Sequence, residues 1–181
     1  MSAQSLIAVF GSSRALPGDG DYEQGVTCGR LLAEAGFGVV TGGYGGLMEA
    51  VSRGAADAGG HVVGVTVPDA FPDRSGANAF VAEEVATPQI VERIHQLTDR
   101  TAGAIVLPGS IGTLTELAMA WNLAFIARFS GDAQKPIVTV GRTWQDLVAH
   151  LTAVLDTDAE LVTCVESVPE AVQRIVQATS D

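Results

Sequence analysis

Short continuous runs of apolar residues alternate along the chain with longer segments of helical periodicity. The runs are rich in Val and Ile and lack alternating polar residues, which is typical of strands covered on both faces of a parallel sheet. The predicted strands are 6–10, 38–41, 61–67, 80–82, 104–107, 136–140 and 162–165. The predicted helices are 22–35, 47–58, 88–100, 113–129, 144–155 and 169–177. This alternation predicts an α/β fold with a doubly wound parallel sheet.

The length of the chain fits one domain. Its 181 residues can bury a substantial core, and no linker, internal repeat or low-complexity segment interrupts the pattern. We therefore predict a single nucleotide-binding domain over residues 1–181. The polar segment 68–78 is rich in Gly, Pro and Asp, so we predict a loop there and regard it as the best candidate for a mobile lid.

Composition and charge narrow the range of partners. Hydrophobic residues make up 47% of the chain and charged residues 17%, which indicates a folded protein. The formal net charge of −11 disfavours binding to a nucleic-acid backbone. It does not oppose a single phosphate held locally by backbone N–H groups.

The cysteines and the N-terminal segment argue against a metal-binding, secreted or membrane protein. Cys28 and Cys164 are far apart in sequence and belong to no Cys/His cluster, so we predict neither a metal site nor a cofactor. The short apolar run near the N-terminus has no basic segment before it, and no run reaches the roughly 18 residues of a membrane span. We therefore expect a cytoplasmic protein that does not bind membranes.

Glycine-rich turns follow three predicted strands and lead into helices. The carboxyl ends of parallel strands lie at one edge of a sheet, where ligands bind. Glycine lets the backbone N–H approach a ligand closely, and a helix N-terminus adds unpaired donors and a positive dipole end. The positions that we expect to bind the phosphate of a small nucleotide are Gly11, Ser12, Ser13, Arg14, Gly42, Gly43, Gly45, Gly46, Pro108, Gly109, Ser110, Gly112 and Thr113.

Common nucleotide and hydrolase fingerprints are absent from the sequence. No GxxxxGK[ST] occurs, which excludes a P-loop NTPase on motif grounds. Residues 42–46 are not GxGxxG, and no acidic residue closes the next strand, so an NAD-dependent dehydrogenase is weakly supported. Residues 108–112 fall one residue short of GxSxG. With only His61, His95 and His150 available, a catalytic triad is disfavoured.

Two longer stretches resemble the motifs of the LOG ("lonely guy") proteins, which were long named possible lysine decarboxylases. Residues 42–48, GGYGGLM, look like the family's GGGxxGLM, and residues 108–116, PGSIGTLTE, look like its PGGxGTxxE. Residues 10–13 are similar to its opening loop, and Tyr22 falls near the place of a family tyrosine. The resemblance extends from about residue 7 to residue 140.

The resemblance implies a Rossmann-like homodimer with phosphoribohydrolase activity. Such an enzyme splits the N-glycosidic bond of adenine-type nucleoside 5′-monophosphates into free base and ribose 5-phosphate. In cytokinin biosynthesis the base is an N6-prenylated adenine. The family's catalytic glutamate corresponds to Glu116, and its catalytic arginine, in a stretch like MHxRK, corresponds to Arg93. This chain departs from the family pattern at Ser110, where the motif has glycine, and at Ile94, where it has a basic residue.

Judged by position alone, these side chains have plainer interpretations. Glu116 is also an ordinary acidic residue near a helix start, and Arg93 is also a surface arginine beside Glu92. Arg14 either reaches a phosphate or lies in solvent. Two hypotheses therefore follow: a phosphoribohydrolase, or a non-catalytic protein that binds a nucleotide or nucleotide-containing cofactor, as the superfamily's molybdenum-cofactor carriers do.

One predicted helix carries a regular aromatic stripe. Trp121, Phe125 and Phe129 recur every four residues, which predicts a packing stripe that could form part of a dimer face. We predict His95 on a helix surface or at an interface.

Overall fold

A parallel sheet of seven strands forms the centre of the computed structural model, which describes residues 4–74, 76–155 and 157–179. The strands are β1 (Leu6–Phe10), β2 (Gly38–Thr41), β3 (Val62–Thr66), β4 (Glu83–Ala86), β5 (Gly103–Val106), β6 (Ile137–Val140) and β7 (Thr163–Val165). The helices are α1 (Gly20–Glu34), α2 (Leu47–Asp57), α3 (Ile90–Asp99), α4 (Ile111–Ser130), α5 (Arg142–Leu155) and α6 (Val168–Thr179). Short 3₁₀ turns occupy Pro68–Ala70 and Ala159–Leu161.

The strand order places a topological switch point at the centre of the sheet. The order is β4-β3-β2-β1-β5-β6-β7, and all paired strands are parallel. The chain moves outward from β1 to β4 and then returns to β5 on the other side of β1, where Phe10 pairs with Val106. Ligand crevices of open α/β sheets lie beyond the carboxyl ends of the strands at such a reversal. The predicted doubly wound, Rossmann-like fold is confirmed.

Helices cover both faces of the sheet and enclose two separate cores. On one face, α1, α2 and α6 pack through residues such as Leu32 and Ile175. On the other, α3, α4 and α5 pack through residues such as Leu97 and Trp144. Coverage on both faces explains the continuous apolar runs, since every residue of β3 is buried.

The strand predicted at 80–82 is wrong. Phe80 lies in a turn, and β4 follows at Glu83–Ala86, paired with β3 from Val63 to Thr66. β4 is an edge strand whose side chains alternate between half-buried and exposed, so its sequence EEVA lacks the apolar run of the central strands. Val81 packs against the core from just outside the strand, which explains the misleading apolar signal.

Candidate functional site

The three glycine-rich loops meet at the switch point. The Ser12 N–H donates to the Pro108 carbonyl at 3.0 Å, and the Leu47 N–H donates to the Ser12 carbonyl at 2.8 Å. These bonds join the loop after β1 to the loops after β5 and β2. Gly46, with φ +72°, lies at the closest approach, because a Cβ there would lie 2.5 Å from the Ser12 carbonyl oxygen. Only glycine fits this position.

The loop after β5 opens helix α4 with an uncapped N-terminus. Ser110 is the N-cap, and its φ of −122° is extended backbone that any residue adopts, so serine in place of glycine does not strain the loop. Its side chain makes no capping hydrogen bond. The first-turn N–H groups and the positive helix end therefore remain for a ligand or solvent. Thr113 is buried against Gly109, where a Cβ would collide with the threonine side chain.

Arg93 lies beneath the loop after β2 as a buried cation. Only 8% of the residue is exposed, although its neighbour Glu92 lies in solvent. The guanidinium donates from Nη2 to the Gly42 carbonyl at 3.2 Å, and its Nε has no hydrogen-bond partner among the described residues. A Cβ on Gly42 would collide with the guanidinium, so this glycine provides the space that Arg93 occupies.

Glu116 carries a carboxylate that interacts electrostatically with Arg93. It lies half-buried on α4, one helical turn beyond Gly112. Burial raises the pKa of Glu116 to about 7, although the positive charge of Arg93 opposes this rise. Burial likewise lowers the pKa of Arg93, while the negative charge of Glu116 acts in the opposite direction. Near neutral pH, Glu116 is thus divided between a proton-accepting and a proton-donating form.

The segment after β3 is tied to the loop after β2 at both of its ends. The Val67 N–H donates to the Tyr44 hydroxyl at 2.8 Å. Asn78 donates from its backbone N–H to the Gly43 carbonyl at 2.7 Å and from its side chain to the Tyr44 carbonyl at 3.0 Å. We name residues 67–74 and 76–78 the clipped segment, because its first and last residues are bonded to the loop after β2.

Aromatic packing inside the clipped segment involves residues that the sequence did not reveal as part of a site. The rings of Tyr44 and Phe71 meet edge to face with centroids 5.6 Å apart. The Arg74 guanidinium lies 4.6 Å from the Tyr44 centroid and 4.3 Å from that of Phe71. The only available signal was the tyrosine inside GGYGG. No pattern linked residues so far apart in sequence as Tyr44 and Arg74.

Other predicted residues lie outside the interior of the crevice. Ser13 and Arg14 are exposed, and the Ser12 hydroxyl accepts from the Arg14 N–H at 3.1 Å to shape the turn. Tyr22 is buried, and its hydroxyl donates to Glu49 at 2.9 Å, which links α1 to α2. His95 is exposed on α3.

The aromatic stripe on α4 divides into a buried and an exposed part. Trp121 is buried, and its indole N–H donates to the Asp158 carbonyl at 3.0 Å. Phe125 and Phe129 stand on the outer surface with ring centroids 5.3 Å apart, and Phe129 is 76% exposed. Trp121 therefore belongs to the core.

The described ranges hold neither a candidate metal cluster nor a helix suited to span a membrane. Residues 4–74, 76–155 and 157–179 contain no group of three or more His, Cys, Asp or Glu side chains placed to hold a metal ion. None of the helices in these ranges has the length and apolar character that crossing a membrane requires.

Curated relatives support the resemblance to the LOG proteins. The chain is 37% identical over 133 residues to the cytokinin riboside 5′-monophosphate phosphoribohydrolase of Mycobacterium tuberculosis, covering 71% of this chain and 68% of the relative. It is 32% identical over 154 residues to the protein of the same name from Mycobacterium marinum, covering 80% of each. The resemblance seen in the motifs is thereby confirmed.

Solved structures share the fold over its whole extent. The molybdenum cofactor binding protein of Rippkaea orientalis matches with a TM-score of 0.77 at 24% identity, covering 100% of both chains. The molybdenum cofactor carrier protein of Chlamydomonas reinhardtii matches with a TM-score of 0.77 at 22% identity, covering 98% of this chain and 99% of that one. The model of the SLOG cluster4 family matches residues 4–171, which is most of the chain. The chain belongs to the SLOG cluster4 family.

Proposed function

We propose that this protein hydrolyses the N-glycosidic bond of adenine-type nucleoside 5′-monophosphates, releasing free base and ribose 5-phosphate. The observation that carries the proposal is the buried, incompletely paired Arg93 beside Glu116, whose pKa lies near 7, at the edge where three glycine-rich loops meet. The names of the mycobacterial relatives support the same reaction.

The phosphate of the substrate would bind at the start of α4. The backbone N–H groups of Gly109 to Thr113 converge there with the positive end of a helix of 20 residues. The loop from Gly43 to Gly46 lies close enough to assist, since the N–H of the next residue, Leu47, donates to the carbonyl of Ser12, whose own N–H donates to Pro108. A phosphate bound there would leave the ribose near Glu116, one helical turn beyond Gly112.

Glu116 would act at the anomeric carbon. The bond between C1′ and the base nitrogen breaks with its electron pair on the base, through an oxocarbenium-like state that a carboxylate stabilises. A water oxygen bonds to C1′, and one proton of that water passes to Glu116. The departing base takes up a proton, so the products are neutral base and ribose 5-phosphate. A carboxyl group with pKa near 7 can accept and release this proton at neutral pH.

Arg93 would hold the carboxylate or the substrate in place. A guanidinium presents five donors in a fixed plane, and this one uses Nη2 for Gly42 while Nε remains unpaired. A substrate oxygen or the Glu116 carboxylate would complete its hydrogen bonding. The neighbouring Ile94 stands where the family motif has a basic residue. It is buried in the core and offers no charge to a substrate.

Base release tests the proposal directly. Purified protein is incubated with AMP and with N6-prenylated AMP, and free base is separated by chromatography. We expect cleavage of at least one substrate, and we expect Glu116→Gln to lower kcat by about a hundredfold while nucleotide affinity changes by no more than about fivefold. Glu92→Gln removes a neighbouring exposed carboxylate and is the matched control. Cleavage that survives Glu116→Gln unchanged would refute this mechanism.

A non-catalytic carrier is the second candidate. The full-length structural match to a protein named for binding molybdenum cofactor favours it, and so does the loss of the basic residue at position 94. This function would use the same glycine-rich loops for a phosphate of the cofactor. Calorimetry showing tight binding of a nucleotide, together with no base release from any monophosphate, would favour the carrier.

We also propose a homodimer formed through the outer face of α4. Large apolar side chains stand exposed along this helix: Met119, Leu123, Phe125, Ile126 and Phe129. Beside them, a groove of about 430 Å³ between α3 and α4 is lined by apolar residues that include Leu97 and Ala124. A ridge and a groove on one face can pair with the same face of a second copy about a two-fold axis. The family resemblance implies the same assembly.

A further inference from the structure

Arg74 carries a guanidinium without a hydrogen-bond or ion-pair partner in the part of the chain that the structure describes. Its contacts are the rings of Tyr44 and Phe71, at 4.6 and 4.3 Å from the ring centroids. The residue is half-buried, and the clipped segment that carries it is bonded at Val67 and Asn78 to the loop after β2. Its donors are therefore held in place without being used by the fold.

Arg74 and Arg93 face the same aromatic ring. The Arg93 guanidinium lies 5.7 Å from the Tyr44 centroid, and its Nε is likewise unpaired among the described residues. The pKa of Arg93 is lowered first by burial, and the positive charge of Arg74 lowers it further. The two guanidinium charges repel each other, whereas the negative charge of Glu116 favours the charged form of Arg93. Electron-rich atoms of a ligand beside both guanidiniums would relieve the repulsion.

Within the loop after β2, Gly46 approaches Ser12, whereas Tyr44 contacts Val67 after β3, on the side away from the predicted phosphate site. The phosphate loop follows β5, whereas Tyr44 follows β2, and β1 lies between these two strands. Two strand spacings correspond to about 10 Å. A nucleoside monophosphate bound with its phosphate at α4 and its ribose beside Glu116 would extend its base toward Tyr44 and Arg74.

We propose that Arg74 contacts the base of the nucleotide and stabilises the negative charge that the base acquires as it leaves. This inference rests on the proposed function and assigns its leaving-group site. When the C1′–N bond breaks, the electron pair moves onto the ring nitrogens of the base. A planar guanidinium donates hydrogen bonds to such atoms in the purine plane. The base then receives, through solvent, the proton that Glu116 accepted from the attacking water, and Arg74 remains charged throughout.

The test compares two leaving groups on one sugar phosphate. The base of AMP needs stabilisation as it leaves. The second substrate is ribose 5-phosphate with a p-nitrophenoxy group at C1′, which leaves as p-nitrophenolate, an anion that is stable without help from the protein. We expect Arg74→Ala to lower kcat for AMP about a hundredfold and for the p-nitrophenyl substrate less than about threefold. Arg74→Lys, which keeps the charge without the planar fork, should give an intermediate loss. Arg174→Ala is the matched control, because Arg174 is a half-exposed arginine on α6.

Calorimetry adds an arm that does not depend on turnover. Arg74→Ala should weaken the binding of AMP about tenfold and leave the binding of ribose 5-phosphate within about twofold. Equal losses for both substrates, or weaker binding of ribose 5-phosphate, would overturn the proposal, since Arg74 would then serve the phosphate or only the fold. If the unmodified protein cleaves neither substrate, the proposed hydrolysis fails on its own. In that case calorimetry alone tests whether Arg74 contacts the base. An AMP affinity that is unchanged in Arg74→Ala would overturn this assignment.

Discussion

The carboxyl group of Glu116 has a higher proton affinity in the folded chain than in the unfolded chain, because folding buries it. Its pKa rises from the ordinary value of 4.5 to about 7 on folding. Between these two values the folded protein binds a proton that the unfolded chain has lost. The contribution to stability is thus fully present below about pH 4.5 and is lost as the pH rises through about 7. Burial of this carboxyl group therefore lowers the stability of the fold at neutral pH relative to acid pH.

Replacing Glu116 with a neutral amide should remove this pH dependence. We expect Glu116→Gln to increase the free energy of unfolding relative to the unmodified protein at about pH 8, and to change it little at about pH 4, where the carboxyl is protonated in both states. Urea titrations at the two pH values measure the difference. Glu92→Gln, at an exposed position, should show neither effect. An equal change at both pH values would contradict the assigned burial effect.

The pH dependence of turnover should report the same group. If ionised Glu116 stabilises the transition state, kcat falls on the acid side with a limb near pH 7. The positive charge of Arg93 holds the pKa of Glu116 below the value that burial alone would give. Arg93→Met should therefore move the acid limb to higher pH, besides lowering kcat. A pH–rate profile of AMP cleavage checks both statements. An acid limb at the same pH in Arg93→Met would show that the charge of Arg93 does not influence the group that titrates.

At the scale of elements, the glycines in the loop after β2 differ in how much space a side chain would have. A Cβ at Gly42 would lie 2.6 Å from Met48 Sδ and would collide with the Arg93 guanidinium, whereas a Cβ at Gly45 would have nothing within 4 Å. We expect Gly42→Ala to displace Arg93 and lower AMP turnover at least about tenfold, since misplaced catalytic groups lose rate steeply. Gly20→Ala is the matched control, with turnover within about twofold, because a Cβ at Gly20 on α1 would also have nothing within 4 Å and Gly20 is not among the predicted phosphate-binding positions. Turnover in Gly42→Ala that matches this control would show that Arg93 is not displaced.

The sequence predicted central elements well because their periodicity reflects burial on both faces. The runs at β1, β2 and β5 and the motif at α4 led to the correct sheet and to the three loops at one edge. β4 escaped prediction because an edge strand needs no apolar run. The burial of Arg93 escaped the residue pattern because it depends on Gly42, 51 positions earlier in the sequence. Contacts of this kind arise from topology, which no local period encodes.

At the scale of the whole molecule, the charge distribution sets the crevice apart. An acidic surface of net charge −11 surrounds a site that contains Arg74, Arg93 and a carboxyl group with pKa near 7. This local excess of positive charge favours a small anionic ligand, while the surface as a whole repels nucleic-acid chains. The proposed nucleotide substrate fits both conditions, because its single phosphate would be bound locally.

The proposed dimer can be tested on the outer face of α4. A monomer would leave Phe129 76% exposed and Ile126 46% exposed beside an apolar groove, an arrangement that favours association. We expect light scattering at micromolar concentration to give twice the chain mass of 18.6 kDa, and Phe129→Glu combined with Ile126→Glu to give the chain mass itself. Two charges buried in an apolar interface would cost far more free energy than the contacts there supply. The matched control is Val154→Glu with Leu155→Glu on α5, which are also exposed apolar residues and belong neither to the α4 ridge nor to the groove. A monomeric unmodified protein would refute the dimer, and a dimer that survives the α4 pair but dissociates with the α5 pair would move the interface to α5.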